Sequence, residues 1–310
     1  MPAVTFVING SLAHASGRFL SLCHTATGQA GWQPEFVVTQ KADVGMLAAR
    51  EAAAGGADLV VAAGGDGTVR GCAEGLAGTD VPLGIVPLGT GNLLARTLGI
   101  PAHPRAALHI ALGRAAATEV HRIDLATADG TPFTAMAGMG LDAAVVAATR
   151  LKHHLGWLAY AMAGAAHLGL PPIRFSIRMD DGPPVEREAR SVVVGNSGLL
   201  PGGFILLPDA RIDDGLLDVG VLAPHGPFGW PRVATRVLTH SHRQDRNLER
   251  FQARKVEITA HSPLPREVDG EVVEQGRTLT VEVRPAALSV RVPVRHRHWQ
   301  HTRRADHSPA

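Results

Sequence analysis

The chain has 310 residues, 45% of them hydrophobic, with a formal net charge of +2. That is enough apolar material for a large core and for more than one domain. Near-neutral charge gives no electrostatic footprint for nucleic acid. Two distant cysteines, Cys23 and Cys72, make neither a metal motif nor a disulfide framework, and no run of ~20 uninterrupted apolar residues is there to span a membrane.

Only three of the 30 basic residues are lysines (Lys41, Lys152, Lys255), a compositional bias that takes weight off arginine counts. The N-terminus has no charged stretch followed by a long apolar core, so no signal peptide is expected and a reducing cytoplasm fits.

In chain order, residues 4–8 predict a buried strand that ends at Asn9-Gly10-Ser11. Small polar residues continue to Ser16-Gly17-Arg18, which suits an ordinary turn or a phosphate loop. Residues 36–39, ending in Thr39, read as a second strand, and 44–54 as a helix stopped by Gly55-Gly56. Residues 58–63 form a short apolar run of the kind buried on both faces. It runs into Gly64-Gly65-Asp66-Gly67-Thr68, and a helix is predicted over 69–76 (from Val69, through Arg70). Asp66 and Thr68 both suit its N-terminal end. Backbone N–H groups aimed out of a glycine-lined turn make an anion site, and Asp66 could hold a cation or fix water. A tight βα turn without ligand is the plain alternative. The spacing is neither Gly-x-x-x-x-Gly-Lys-Ser/Thr nor Gly-x-Gly-x-x-Gly.

A second such unit follows. Residues 81–86 read as a strand, then Pro87-Leu88-Gly89-Thr90-Gly91-Asn92, with Asn92 placed to cap a helix whose apolar side carries Leu93, Leu94 and Leu98. Two strand–turn–helix units bring both turns to the carboxyl edge of one parallel sheet, where open α/β sheets bind ligands. Residues 104–112 give a further helix. Strand–helix alternation up to this point indicates a doubly wound α/β domain.

From His121 the pattern changes. Short alternating runs at 120–126, 133–137, 175–179, 191–194, 217–222, 255–259 and 279–283 predict an antiparallel sandwich or barrel. Helical stretches at 141–168, with a break near Gly156, and at 231–240 interrupt it. Arg150, Lys152, His153 and His154 lie beside Leu155, Trp157 and Tyr160, which suits either an anionic membrane surface or a solvated face. From about His296 the chain is rich in His and Arg and reads as a disordered tail. Arg211-Ile212-Asp213-Asp214-Gly215-Leu216 puts carboxylates on a turn entering a strand, either a plain Asp-Gly turn or oxygen ligands for a hard cation. Val268-Asp269-Gly270-Glu271 is hairpin-like.

The two glycine turns together resemble the diacylglycerol kinase catalytic domain. The likeness is to bacterial soluble lipid kinases in particular, which are related to sphingosine and ceramide kinases and more distantly to NAD kinases. The segment 138–143, the block 192–218 with Asp214-Gly215-Leu216-Leu217-Asp218, and Asp269-Gly270-Glu271 extend the resemblance along nearly the whole chain. It implies an NAD kinase-like, doubly wound α/β domain that binds ATP (residues 1–122), then an antiparallel β-sandwich carrying the lipid site and the base (123–294), then the tail (295–310). By position it implies that the Asn9 turn, Thr39, Gly64 to Arg70, Thr90 and Asn92 surround the nucleotide. Asp66 would support Mg²⁺ around the phosphates. Asp214, with the carbonyls of Arg211 and Leu216, would form a second, structural Mg²⁺ site. Glu271 would take the proton from a lipid hydroxyl, a diacylglycerol-type acceptor being expected, with the protein peripheral at the membrane. Asn9 is followed here by Gly10 where the family usually has Pro, and only Arg18 is basic nearby. Rival readings are a kinase for a soluble acceptor and a non-catalytic nucleotide- or lipid-binding protein; a homodimer is left open.

Overall fold

The computed structural model describes residues 1–10, 17–39, 45–115, 117–140, 172–199, 205–225, 229–239, 241–243 and 245–294. The expected helix at 141–168, its basic cluster and the tail lie outside the described residues.

Four parallel strands, β1 (Ala3–Asn9), β2 (Gln33–Thr39), β3 (Leu59–Gly64) and β4 (Leu83–Pro87), pair in the order β2-β1-β3-β4. Helices α1 (Gly17–Ala30), α2 (Met46–Ala54), α3 (Asp66–Leu76), α4 (Leu93–Thr97) and α5 (Pro104–Ala111) connect or follow them. β3 and β4 are buried along their whole length, as continuous apolar runs in a covered parallel sheet require. Helix α3 begins at Asp66, two residues before the Thr68 that was expected to open it. No element is expected from sequence over α1, which is dense in Ser, Thr and Gly. Its helix is held by Phe19, Leu20, Cys23 and Ala26 packing against the core, while the buried Thr27 hydroxyl is satisfied by donating to the Cys23 carbonyl at 2.8 Å.

The remaining strands pair antiparallel with one another: β5 (Thr118–Ala128), β6 (Thr131–Phe133), β7 (Met136–Gly140), β8 (Ile173–Met179), β9 (Val185–Ala189), β10 (Ser191–Gly195), β11 (Leu217–Leu222), β12 (Leu248–Ala253), β13 (Lys255–Val268) and β14 (Glu271–Pro293). Helix α6 (Gly229–Leu238) buries Gly229 and Val233, and its Val237 packs against the cluster of Met136, Val193 and Leu248. β13 passes between two layers: residues 256–260 pair with β8 and residues 266–268 with β7, with register shifts between. The layers enclose Phe133, Phe175, Ile177, Val194, Val219, Ile258 and Val281, giving the expected sandwich.

β14 is shared. Its far half pairs with β5, Val290 pairs in parallel with Leu83 of β4, and Leu288, Val290 and Val292 join the core of the parallel sheet. The end of the described chain therefore closes the first unit.

Three details differ from expectation. The run at 133–137 is two strands, broken at Thr134-Ala135, where the backbone N–H groups are diverted to a carboxylate described below. The runs at 255–259 and 279–283 are fragments of strands of 14 and 23 residues, their alternation interrupted by prolines at 263, 265 and 285. β9 and β12 had no sequence expectation, because charged residues at paired edges mask the apolar alternation.

Candidate active site

Register pairs Gly64 with Pro87, so the two glycine turns emerge side by side from β3 and β4, and the Leu88 N–H donates to the Gly64 carbonyl at 2.8 Å. They touch. A Cβ added at Gly89 would lie 2.5 Å from the Cα of Gly65. Glycine at 89 is thus required by the neighbouring turn itself.

Asp66, in the first turn of α3, spans the two. Its Oδ2 accepts from the Asn92 N–H at 2.8 Å and its Oδ1 from the Leu93 N–H at 2.6 Å. The expectation that Asn92 caps the following helix is corrected here. Asn92 holds the N-cap position with φ 49°, but its side chain folds back, Oδ1 accepting from Gly89 N–H at 3.1 Å and Nδ2 donating to the Gly89 carbonyl at 2.7 Å. The acceptor that satisfies the start of α4 comes from Asp66 instead.

Thr68 is buried and its Oγ1 accepts from Asn9 Nδ2 at 3.2 Å, which ties in the end of β1. Asn9 is in register with Thr39, and a Cβ at Gly10 would collide with the Thr39 carbonyl, a physical reason for the atypical Asn9-Gly10 step. Gly89 and Thr90 are exposed, and outside its own helix and neighbours a Cβ at Gly67 would meet no described residue within 4 Å. Among the described residues the N-terminus of α3, whose first N–H groups have no partner within the helix, is therefore open. Its donors fit a polyphosphate.

Across from α3 stands the β13–β14 hairpin. Asp269 (φ 48°) and Gly270 (φ 77°) form a two-residue turn with both residues left-handed, the turn that Asp-Gly favours. Asp269 is buried, and its carboxylate gathers the Thr134 N–H (2.9 Å), Thr134 hydroxyl (3.2 Å), Ala135 N–H (2.8 Å) and Met136 N–H (3.2 Å). Burial pushes its pKa above the usual carboxylate value, against the pull of those N–H groups and of Arg70. The sequence places Asp269 in the hairpin turn and in the Asp-Gly-Glu motif, but nothing local assigns it this role. Glu271 follows at the start of β14, and its Oε2 lies 2.8 Å from Arg70 Nη2 on α3, with the two side chains 50% and 17% exposed.

The loop at 211–216 is fixed by buried Asp124 on β5, a residue without a sequence signal. Its Oδ2 accepts from Gly215 N–H and its Oδ1 from Ala286 N–H, both at 2.7 Å, and its own N–H donates to the Ile212 carbonyl at 2.8 Å. Asp213 is taken by His121 Nε2 at 3.0 Å and Arg211 Nε at 3.3 Å. Asp214 accepts from the Leu216 N–H at 3.0 Å; partial burial raises its pKa, with Asp124 and Asp213 adding to the rise. Nearby Asp218, deeply buried, is pushed up to about 7, first by burial and then by Asp214. Among the described residues no three His, Cys, Asp or Glu side chains converge on a metal position. The set expected here is of another kind, one carboxylate (Asp214) and two main-chain carbonyls (Arg211, Leu216). Among the described residues no helix is long and apolar enough to cross a membrane.

The diacylglycerol kinase catalytic domain matches residues 3–128, and the YegS C-terminal NAD kinase beta sandwich-like domain matches residues 135–292. The first spans both glycine turns and the second the Asp-Gly-Glu hairpin. A Pseudomonas fluorescens protein named "Probable lipid kinase YegS-like" is 36% identical over 269 residues, 85% of this chain and 87% of that one. The "Diacylglycerol kinase" of Bacillus subtilis is 33% identical over 252 residues, 78% of this chain and 80% of its own. In fold, the crystal structure of a diacylglycerol kinase from Bacillus anthracis superposes with a TM-score of 0.70 at 21% identity, covering 93% of this chain and 96% of that one. The chain belongs to the diacylglycerol kinase catalytic-domain family and is an ATP-dependent lipid kinase.

Proposed function

We propose that the protein transfers the γ-phosphate of ATP to the hydroxyl of a diacylglycerol-type lipid, with Mg²⁺ bound and Glu271 as general base. The observation that carries this reading is the 2.8 Å contact between Glu271 and Arg70. It sets a carboxylate of the hairpin directly against the helix that opens from the first glycine turn, so a proton acceptor and an anion site face one another.

Phosphoryl transfer needs positioning and charge neutralisation more than covalent chemistry. The exposed start of α3 and the Gly89-Thr90 turn bind and orient the phosphates. Asp66 holds the two turns in fixed relation through Asn92 and Leu93. Asn9 and Thr39 border the same edge beside Thr68. Bound Mg²⁺ supplies charge neutralisation at the phosphates. A second ion suits the 211–216 turn, where the Asp214 carboxylate and the Arg211 and Leu216 carbonyls are hard oxygen donors, and Asp124 keeps that turn in shape. Glu271, aimed by the buried Asp269 turn, accepts the proton as the lipid hydroxyl attacks. Such a substrate implies work at a membrane surface from the cytoplasmic side.

Transfer of label from γ-labelled ATP to a panel of lipid micelles with Mg²⁺ tests the proposal. Label should appear on a diacylglycerol-type lipid and fall by about 10²–10⁴-fold in Glu271→Ala, the usual contribution of a general base. Because Glu271 is exposed, the variant should keep its unfolding midpoint. Label appearing only on a soluble acceptor, or unchanged transfer by Glu271→Ala, overturns it.

A further inference from the structure

Arg70 lies one helical turn after Asp66 on α3, so the two side chains share a face of the helix. Its guanidinium reaches out of the first unit to Glu271, and its charge also bears on buried Asp269. Arg70 therefore links α3, one turn past its start, to both carboxylates of the hairpin. A guanidinium binds carboxylate and phosphate with the same forked geometry. The Glu271 end of the pair is half exposed while Arg70 is largely covered, so water competes for the carboxylate end of the contact. A polyphosphate seated at the start of α3 would bring several negative charges to the same guanidinium.

Building on the kinase reading, we infer that Arg70 exchanges partners, holding Glu271 in the free protein and turning to the nucleotide phosphates when they arrive. The Glu271 carboxylate thus stays engaged by Arg70 until the phosphoryl donor is bound. This couples the two halves of the site without any movement of main chain, since one long side chain carries the signal.

The exchange has a thermodynamic signature in nucleotide affinity. If Glu271 competes for Arg70, removing its charge must tighten ATP binding, and only while Arg70 is present. Calorimetric titration of ATP with Mg²⁺ into wild type, Glu271→Gln, Arg70→Met and the double variant measures this directly, with thermal unfolding as the check on folding. Glu271→Gln should bind ATP about two- to five-fold more tightly than wild type, the range an ion pair with one exposed partner supports. In the Arg70→Met background the same substitution should change nothing. Arg70→Gln takes the place of Arg70→Met if the latter does not fold. Equal affinity of wild type and Glu271→Gln overturns the exchange, as does equal tightening in both backgrounds, which would mark plain repulsion between Glu271 and the phosphates. Neither result touches the kinase reading. Absence of ATP binding by the folded wild type would sink that reading, and the exchange with it.

Discussion

At the carboxyl edge of the parallel sheet, Gly65 meets Gly89 and Asp66 reaches Asn92 and Leu93, all within a window of 29 residues. At the β13–β14 hairpin, Asp269 gathers N–H groups from a segment some 135 residues away, and Glu271 pairs with an arginine 201 residues away. One half of the site is main chain brought close by missing side chains. The other is a buried charge that organises distant backbone. The first is local and sterically exacting, and the second is long-range and electrostatically costly. Substitutions and pH should therefore act differently on the two.

The largest effect on stability is expected on the side that buries charge. Asp218 is 96% buried, and among the described residues its Oδ2 has no hydrogen-bond partner and its Oδ1 accepts only from Gln252 at 3.2 Å. Burial pushes its carboxyl from 3.8 to about 7. The folded state thus binds this proton more tightly than the unfolded state, so ionisation costs stability. Stability from this group is greatest below pH 3.8 and is lost as pH rises toward 7. Asp218→Asn should be neutral near pH 4 and more stable than wild type at pH 8, by at most about 4 kcal/mol. Denaturant unfolding of both proteins in chelator across that range measures the difference. A gap that does not change with pH would mean that Asp218 finds partners other than those seen.

Asp269 comes next. Asparagine tolerates the left-handed backbone there as well as aspartate does. Asp269→Asn therefore keeps the turn and the volume while setting an NH₂ group against N–H donors. With two accepted hydrogen bonds lost, about 2–3 kcal/mol of stability should go. Lipid phosphorylation should drop as well, because Glu271 is aimed by this turn. A denaturant midpoint equal to that of wild type would show that the hairpin does not depend on the buried carboxylate.

The same contrast explains what could be read in the sequence. Glycine in a βα turn is a local signal, and both turns, their strands and their placement at one sheet edge were legible. The role of Asp66 was legible only in part. Its position at a helix start is local, but its use as the acceptor for α4 requires knowing that the turns touch. Asp269 and Asp124 were invisible as organisers, since their partners at 134–136, 215 and 286 are set by packing. The long bent strands β13 and β14 were seen only as fragments, because a strand that serves two layers changes which face is buried along its length. α1 was hidden by polar residues that satisfy themselves within the helix.

On the glycine side, Gly89→Ala should cost about 1–3 kcal/mol, as overpacking does. The new methyl meets main chain, which cannot swing away. ATP binding should weaken with stability, because the two turns are driven apart. An unfolding midpoint within error of wild type would show that the turns are not locked together.

Gly67→Ala gives the smallest stability effect and the sharpest separation. Outside its own helix and chain neighbours, no described residue lies within 4 Å of the added methyl, and residue 67 sits in the first turn of α3, where alanine is favoured over glycine. The unfolding midpoint should stay the same or rise slightly. The methyl nevertheless projects from the helix end proposed to receive phosphate, where close approach to main chain is needed. KM for ATP should therefore rise while stability does not fall. Gly89 and Gly67 would then divide the work of the motif: one glycine is required by the protein, the other by its ligand. Unchanged KM in a fully stable Gly67→Ala protein would move the phosphates off the start of α3 and leave the Gly89-Thr90 turn to hold them.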